Sequence, residues 1–422
     1  MKKTNLISTD LRRLAWLTAG LPLICLVAAC SDSVVNTNST STATAFSPPE
    51  STDAPATSPH LAPLAESATD SPQPGHPPVS ALPQTVIELP GAVLPPGFSI
   101  VRFAGLYHPT AFAFNADGQL LVASLDGSVH LLGDDDADGR ADRSQVFASG
   151  FPTPLGVAVG PESGDVFVSY QGAIARLRDW DGDGEADESV TLFSGLPFGR
   201  HQNDNLKFGP DGWLYMGVGS TCDACIEADF RSATIMRFDV ETLESEVFAS
   251  GMRNPFDLAF HPLSGDLFAT DNGRDDLGLA APQEELNHII QGGSYGFPGC
   301  WDGHDQPGCG AARAPAAFFE SHSSANGLDF NTGGPFPAEY FANAFVSIFG
   351  SFLKPGVQTG VQRVVLTPAG GTYLGEVEWF VRFPEGVMPL PLLFGPEGAL
   401  YVGDHIGDAV YRISYGLPGA GD

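Results

Sequence analysis

Positive charge is scarce in this chain. Against 50 Asp and Glu stand only 20 Lys and Arg, and the lysines are just Lys2, Lys3, Lys207 and Lys354. The net charge of −30 repels nucleic-acid phosphates, so no nucleic-acid partner is expected. It suits cations, neutral solutes or a salty medium, and adaptation to salt explains the acidity equally well. Extended helix-forming sequence is lacking too: 50 Gly and 35 Pro exclude a long-helix or coiled-coil protein. The 29 Phe exclude a fully disordered one. Long apolar runs are nearly absent. Leu14–Leu26 carries no charge over thirteen residues, which is short for a membrane span and fits a signal-peptide core.

That run follows Lys2, Lys3, Arg12 and Arg13 and ends in Leu26-Val27-Ala28-Ala29-Cys30, which resembles a bacterial lipobox. The resemblance implies cleavage after residue 29 and lipidation of Cys30. An exported lipoprotein held on the outer membrane or cell surface by its acyl chains is therefore expected, with the membrane as one partner. Residues 30–92 are rich in Ser, Thr, Pro and Ala and poor in large apolar groups. They bury too little surface to offset ordering entropy, so they read as an extended tether.

From residue 93 a pattern repeats: an alternating apolar stretch, a Gly turn, a second apolar stretch. The turn glycines are Gly118, Gly164, Gly212, Gly265 and Gly398, with a less regular copy around Phe336–Phe349. Period-two alternation split by Asp-Gly or Ser-Gly turns reads as hairpins. A repeat of about 45 residues suits a four-stranded blade. The expected fold is all-β, a six-bladed β-propeller over residues 93–422. A β-solenoid or a pair of sandwiches is the competing architecture.

Two acidic loops share one layout. Asp134, Asp136, Asp138 and Asp142 occupy positions 1, 3, 5 and 9 with Gly139 at 6, and Asp179, Asp181, Asp183 and Asp187 repeat this with Gly184. Calcium takes six to eight oxygens, and the glycine allows the turn that converges them. Position 12 holds Gln145 or Val190, so these are not complete EF-hands. Structural calcium and a merely solvated acidic turn are the two readings.

Cysteine is limited to six residues. Cys25 leaves with the signal and Cys30 is the anchor, which leaves Cys222, Cys225, Cys300 and Cys309. Export favours disulfides. Pairing 222–225 with 300–309 is the simplest of three connectivities, and a zinc site is the alternative.

The segment Gly199-Arg-His201-Gln-Asn-Asp-Asn-Leu-Lys-Phe-Gly-Pro-Asp-Gly212-Trp-Leu-Tyr-Met-Gly-Val-Gly-Ser-Thr-Cys222-Asp-Ala-Cys225 carries a family resemblance. So do Met252-Arg253-Asn254-Pro255, Thr270-Asp-Asn-Gly273-Arg274, Glu284-Glu-Leu-Asn287 and Gly292-Gly-Ser-Tyr-Gly-Phe-Pro298. In this order they resemble the soluble quinoprotein sugar dehydrogenases, the glucose and sorbosone dehydrogenase family, over residues 93–416. That resemblance implies pyrroloquinoline quinone (PQQ) in a central funnel, a sugar or small polyol substrate and an external electron acceptor. His201 matches the family's catalytic base. Arg253 matches a residue acting on quinone and substrate, and Asn254 accompanies it in holding the cofactor. Backbone carbonyls of Gly273 and Arg274 match calcium ligands, and Lys354 lies where it could supply a cofactor cation. The chain departs from the family where arginines grip the cofactor carboxylates: Met388 and Leu390 stand there, and Phe349 replaces a histidine before Gly350-Ser351. A non-catalytic propeller that binds glycans or proteins, and a calcium-dependent lactonase, are the competing functions.

Overall fold

The computed structural model describes residues 82–418. The signal segment, the Cys30 lipidation site and most of the tether lie outside the described residues. Within them the alternating segments form six antiparallel four-stranded sheets. Strand β1 is Phe98–Gly105. Blade 1 comprises β2 (Pro109–Phe114), β3 (Leu120–Ser124), β4 (Ser128–Gly133) and β5 (Arg143–Ser149). Blade 2 comprises β6 (Gly156–Val159), β7 (Val166–Tyr170), β8 (Ala173–Arg178) and β9 (Glu188–Ser194). Blade 3 comprises β10 (Asn203–Phe208), β11 (Leu214–Val218), β12 (Thr234–Phe238) and β13 (Ser245–Ser250). Blade 4 comprises β14 (Leu258–Phe260), β15 (Leu267–Asp271), β16 (Glu284–Ile289) and β17 (Ala317–Phe319). Blade 5 comprises β18 (Ala325–Phe330), β19 (Ala344–Ile348), β20 (Gly360–Ala369) and β21 (Thr372–Arg382). Blade 6 comprises β22 (Pro389–Phe394), β23 (Leu400–Asp404) and β24 (Ala409–Tyr415), and β1 completes it. The first strands of successive blades touch one another in a closed cycle, which makes the six-bladed ring.

The repeat glycines fall where period-two strands must reverse. Gly118, Gly164, Gly212, Gly265 and Gly398 join the first and second strands of their blades with φ of 75°, 73°, 83°, 74° and 82°. That left-handed backbone penalises any side chain with a Cβ. Blade 5 breaks the pattern because its first two strands are joined by a longer segment carrying a 3-10 turn at Ala338–Tyr340. Phe336 from that segment packs edge-on against Phe98 at 4.7 Å.

Aromatic packing fills the seams between blades. Phe98, on the closing strand, also meets Tyr340, Phe380 and Tyr415 edge-on at 5.0–5.4 Å. Hydroxyls clasp neighbouring blades near the axis. Ser169 Oγ donates to Asp204 O (2.6 Å), Thr270 Oγ1 to Asn326 O (2.7 Å) and Ser347 Oγ to Leu390 O (2.7 Å). Each contributes about 0.5–1.5 kcal/mol net. Asp257, fully buried, takes Asn205 Nδ2 from blade 3 and Leu328 N from blade 5, at 2.7 and 2.9 Å.

The domain begins earlier than the composition change at residue 93 suggests. Ile100 N donates to Val86 O and Glu88 N to Ile100 O, both at 2.9 Å, and Leu89 is buried. Short apolar residues among prolines hide this edge from composition. No helix among the described residues is long and apolar enough to cross a membrane.

Blade 3 meets the Arg253–Pro255 segment so closely that a Cβ on Gly217 would lie 1.8 Å from Pro255 O. Gly217→Ala should therefore destabilise the fold by about 1–3 kcal/mol through overpacking. Denaturant unfolding tests this, and an unchanged midpoint would refute the close-approach account.

Candidate functional site

Loops from a fourth strand to the next first strand, and from second to third strands, gather on one end of the ring. They enclose a funnel of about 510 Å³ lined by Arg200, His201, Arg253, Asn254, Asn272, Gly273 and Glu284, with Ser351 and Phe352 opposite. His201, Arg253, Asn254 and Gly273, singled out from sequence, thus come together at one site.

His201 precedes β10. Its Nδ1 lies 2.8 Å from Ser220 Oγ and 3.1 Å from Ser220 O. Ser220 Oγ itself donates to Cys222 O at 2.7 Å. A carbonyl only accepts, so the serine hydrogen points to Cys222 and its oxygen receives Nδ1–H. This leaves Nε2 as a lone pair with no hydrogen bond among the described residues. Burial, and next the charge of Arg253, lower the imidazole pKa to about 3. The ring is neutral at physiological pH.

Arg253 is nearly buried and fully engaged. Its Nη2 reaches Asp223 Oδ1 (2.7 Å) and Asp275 Oδ2 (3.0 Å), Nε donates to Asp223 O (3.0 Å) and Nη1 to Asn272 O (3.1 Å). Arg200 pairs with the same Asp275. Burial is the largest single influence on Asp223 and raises it, but the bond from Arg253, the bond from Asp275 N and the charges of Arg253 and Arg200 together lower the carboxyl below its ordinary range. The two guanidiniums and two carboxylates cancel.

Lys354 sits in a groove beside the funnel, bound to Glu320 at 2.8 Å. Leu390 is buried with Phe256 and Phe349, and Met388 packs on them. The positions where the family resemblance expects carboxylate-gripping arginines carry apolar side chains, Met388 in the groove beside the funnel and Leu390 in a buried cluster.

Oxygen atoms collect beside Arg253. Asn272 Oδ1 and Asn254 Oδ1 are buried and have no hydrogen-bond partner among the described residues. Glu284 accepts Gly273 N (2.6 Å) and Ser324 N (3.3 Å), yet burial raises its pKa to about 8. The carbonyls of Gly273 and Arg274 accept no hydrogen bond among the described residues. The Arg274 side chain turns away to Asp276 and over Trp301.

The acidic loops sit at equivalent places, between third and fourth strands of blades 1 and 2. Ligand oxygens of Asp134, Asp136 and Asp142 lie within 4.8 Å of one another, as do those of Asp179, Asp181 and Asp187. Asp138 and Asp183 stand outside those clusters and accept backbone N–H of Arg140 and Glu185 at 2.9 Å. Cys222–Cys225 and Cys300–Cys309 are disulfides, the local pairing.

Ser220, Asp223, Asn272, Asp275 and Glu284 were not singled out from sequence. Each lies inside or beside a quoted motif, but its role appears only through contacts between segments that are distant in the chain.

The His201 shift has a thermodynamic consequence. Between pH 3 and 6.5 the unfolded imidazole binds a proton that the folded one refuses, so stability falls as pH drops through that window. His201→Gln should remove about 1–3 kcal/mol of the loss between pH 7 and pH 4. Parallel denaturant titrations at the two pH values measure it, and identical pH slopes would refute it.

With the geometry in view, comparison with known proteins places the chain. The calcium structure of a Carbohydrate-Active Enzymes Family AA12 protein from Trichoderma reesei superposes with a TM-score of 0.68 at 18% identity, covering 80% of this chain and 99% of that one. The holo pyranose dehydrogenase PQQ domain of Coprinopsis cinerea gives 0.64 at 15%, over 78% and 99%. The apo soluble aldose sugar dehydrogenase of Escherichia coli gives 0.60 at 18%, over 75% and 99%. These likenesses are of fold, and it is the fold that the motif resemblance implied. An uncharacterized protein of Borreliella burgdorferi is 27% identical over 219 residues, 48% of this chain. The chain spans 57% of that curated relative's length. The model of a domain of unknown function, DUF7133, matches residues 91–411, essentially the whole propeller, and the chain belongs to that family.

Proposed function

We propose that the funnel takes a neutral sugar or small polyol and that the protein is a sugar dehydrogenase, with His201 Nε2 placed to receive the hydroxyl proton. The observation that carries this reading is the neutral imidazole with its proton fixed on Nδ1 and a partnerless Nε2 at the funnel wall. Such a group is a proton acceptor in place before substrate arrives. Asn254 and Glu284 supply hydrogen-bonding groups for sugar hydroxyls.

Two non-protein groups belong to this reading. The donor chemistry suits calcium: Asn254 Oδ1, Asn272 Oδ1 and the carbonyls of Gly273 and Arg274 are hard oxygen donors that have no hydrogen-bond partner among the described residues. In the soluble sugar dehydrogenases PQQ supplies the hydride acceptor. Its carboxylates do not fit here, because Arg200, Arg253 and Lys354 are each paired with acids and the side chains of Met388 and Leu390 are apolar. The same saturated cations favour a second reading, a propeller that binds the sugar without oxidising it.

The deciding experiment loads the full chain with calcium and PQQ and follows dye reduction with a panel of sugars. On the first reading activity appears, and His201→Ala lowers it about 10²–10⁴-fold. Met388→Arg should tighten PQQ binding by restoring a charge-assisted partner. Sugar binding without PQQ uptake or oxidation would establish the second.

Lipidation of Cys30 would tether the propeller to a membrane, and Cys30→Ser should release it to the soluble fraction. The two acidic hairpin loops would hold structural calcium. A chelator should then lower the melting temperature, and Asp136→Ala or Asp181→Ala should shrink that shift. A chelator-insensitive parent would end the calcium claim for the loops.

A further inference from the structure

The segment Gly219–Cys225 follows β11 and touches both His201 and Arg253. Its close approach to the histidine leaves no room at Gly219, where a Cβ would lie 2.3 Å from His201 Cβ. His201 N donates to Ser220 O at 3.1 Å, and Ser220 N donates to Arg253 O at 2.7 Å. Ser220 thus joins the histidine loop to the arginine loop through its backbone. Its hydroxyl is the relay: Nδ1–H of His201 to Ser220 Oγ, and Ser220 O–H to Cys222 O.

That relay depends on where the Cys222 carbonyl points. The carbonyl belongs to a four-residue turn closed by the Cys222–Cys225 disulfide. Inside the turn Asp223 holds Arg253 through its carbonyl and carboxylate and also accepts Asp275 N at 3.0 Å. Thr221 anchors the same turn by donating its N–H and hydroxyl to Glu227 at 2.9 and 2.5 Å. A closed turn has few alternative conformations, so the acceptor for Ser220 and the clamp on Arg253 keep one arrangement.

We propose that Ser220 is a positioning residue that sets the His201 tautomer, and that the Cys222–Cys225 turn holds Ser220 and Arg253 in register. The inference rests on the reading of His201 as the funnel's proton acceptor. Without the hydroxyl, Nδ1–H retains only the Ser220 carbonyl, a poorer partner at 3.1 Å. The preference for Nδ1–H then weakens, and part of the population carries the proton on Nε2, which then cannot accept one from a substrate hydroxyl.

Long-range proton–nitrogen NMR of the full chain labelled with ¹⁵N-histidine reads the tautomer directly, His201 being assigned by its loss in His201→Gln. The parent should show Nδ1–H alone. Ser220→Ala should show a mixture, and Ser220→Thr, which keeps a hydroxyl, should restore the parent pattern. Reducing the parent with dithiothreitol should also produce the mixture, and should do so equally in Cys300→Ser/Cys309→Ser, where only the Cys222–Cys225 bridge remains. This arm needs no variant of the turn itself to fold. If the dehydrogenase reading also holds, Ser220→Ala should lower kcat about tenfold or more with little change in KM. A pure Nδ1–H signal in Ser220→Ala and in the reduced protein would overturn the proposal. Absence of sugar oxidation, with the tautomer shifting as expected, would instead overturn the enzyme reading and leave this one standing.

Discussion

The antiparallel pairing of β1 with β24 is the interaction on which everything else depends. It joins Phe98 to Tyr415 and Gly105 to Ala409, residues more than 300 positions apart, and turns a row of sheets into a ring. Loop-closure entropy grows only slowly with length, so even this span costs little more than a shorter one. The return is large. Blade 6 gains its outer strand, Phe98 fills the seam with Phe336, Phe380 and Tyr415, and the first strand of every blade acquires neighbours on both sides. Open at that seam, the ring would leave β2 and β22 exposed and would not hold the funnel loops at fixed separation.

Most of the fold was legible because propeller blades repeat a local rule. Alternating apolar residues, a left-handed glycine and a second alternating stretch are visible at Gly118, Gly164, Gly212, Gly265 and Gly398. Blade 5 was faint because its hairpin contains a 3-10 turn in place of a tight one. The domain's leading edge was misplaced because Val86–Leu89 joins the sheet with residues that resemble the tether in composition. The gathering of His201, Arg253, Asn254 and Gly273 was legible only through motif order. Their environment was not: Arg253 is neutralised by Asp223 and Asp275, thirty and twenty-two positions away, a pairing no local pattern reveals.

The turn between Ser220 and Cys225 shows how local covalent closure reaches a distant side chain. A disulfide of sequence separation three fixes a carbonyl, the carbonyl orients a hydroxyl and the hydroxyl selects which imidazole nitrogen carries the proton. Each link is weak on its own, about 1 kcal/mol for a neutral hydrogen bond. Together with the Ser220 carbonyl these links decide whether the nitrogen that faces the funnel carries the proton, because the two nitrogens compete for one proton.

Electrostatics then narrows what the funnel can hold. The chain carries a net charge of −30, yet the funnel wall is balanced: two guanidiniums face two carboxylates, His201 is neutral, and burial favours the protonated form of Glu284. An anionic ligand entering this site would have to displace an existing ion pair, and breaking a partly buried pair costs several kcal/mol. A cation would meet orphaned amide oxygens and free carbonyls and would displace nothing. A polyol would find the Nε2 acceptor together with amide and carboxyl groups, again without breaking a pair. On the proposed reading, the same residues that would suit calcium and a neutral sugar would resist a ligand carrying several carboxylates, so the cofactor is harder to accommodate in this funnel than the substrate.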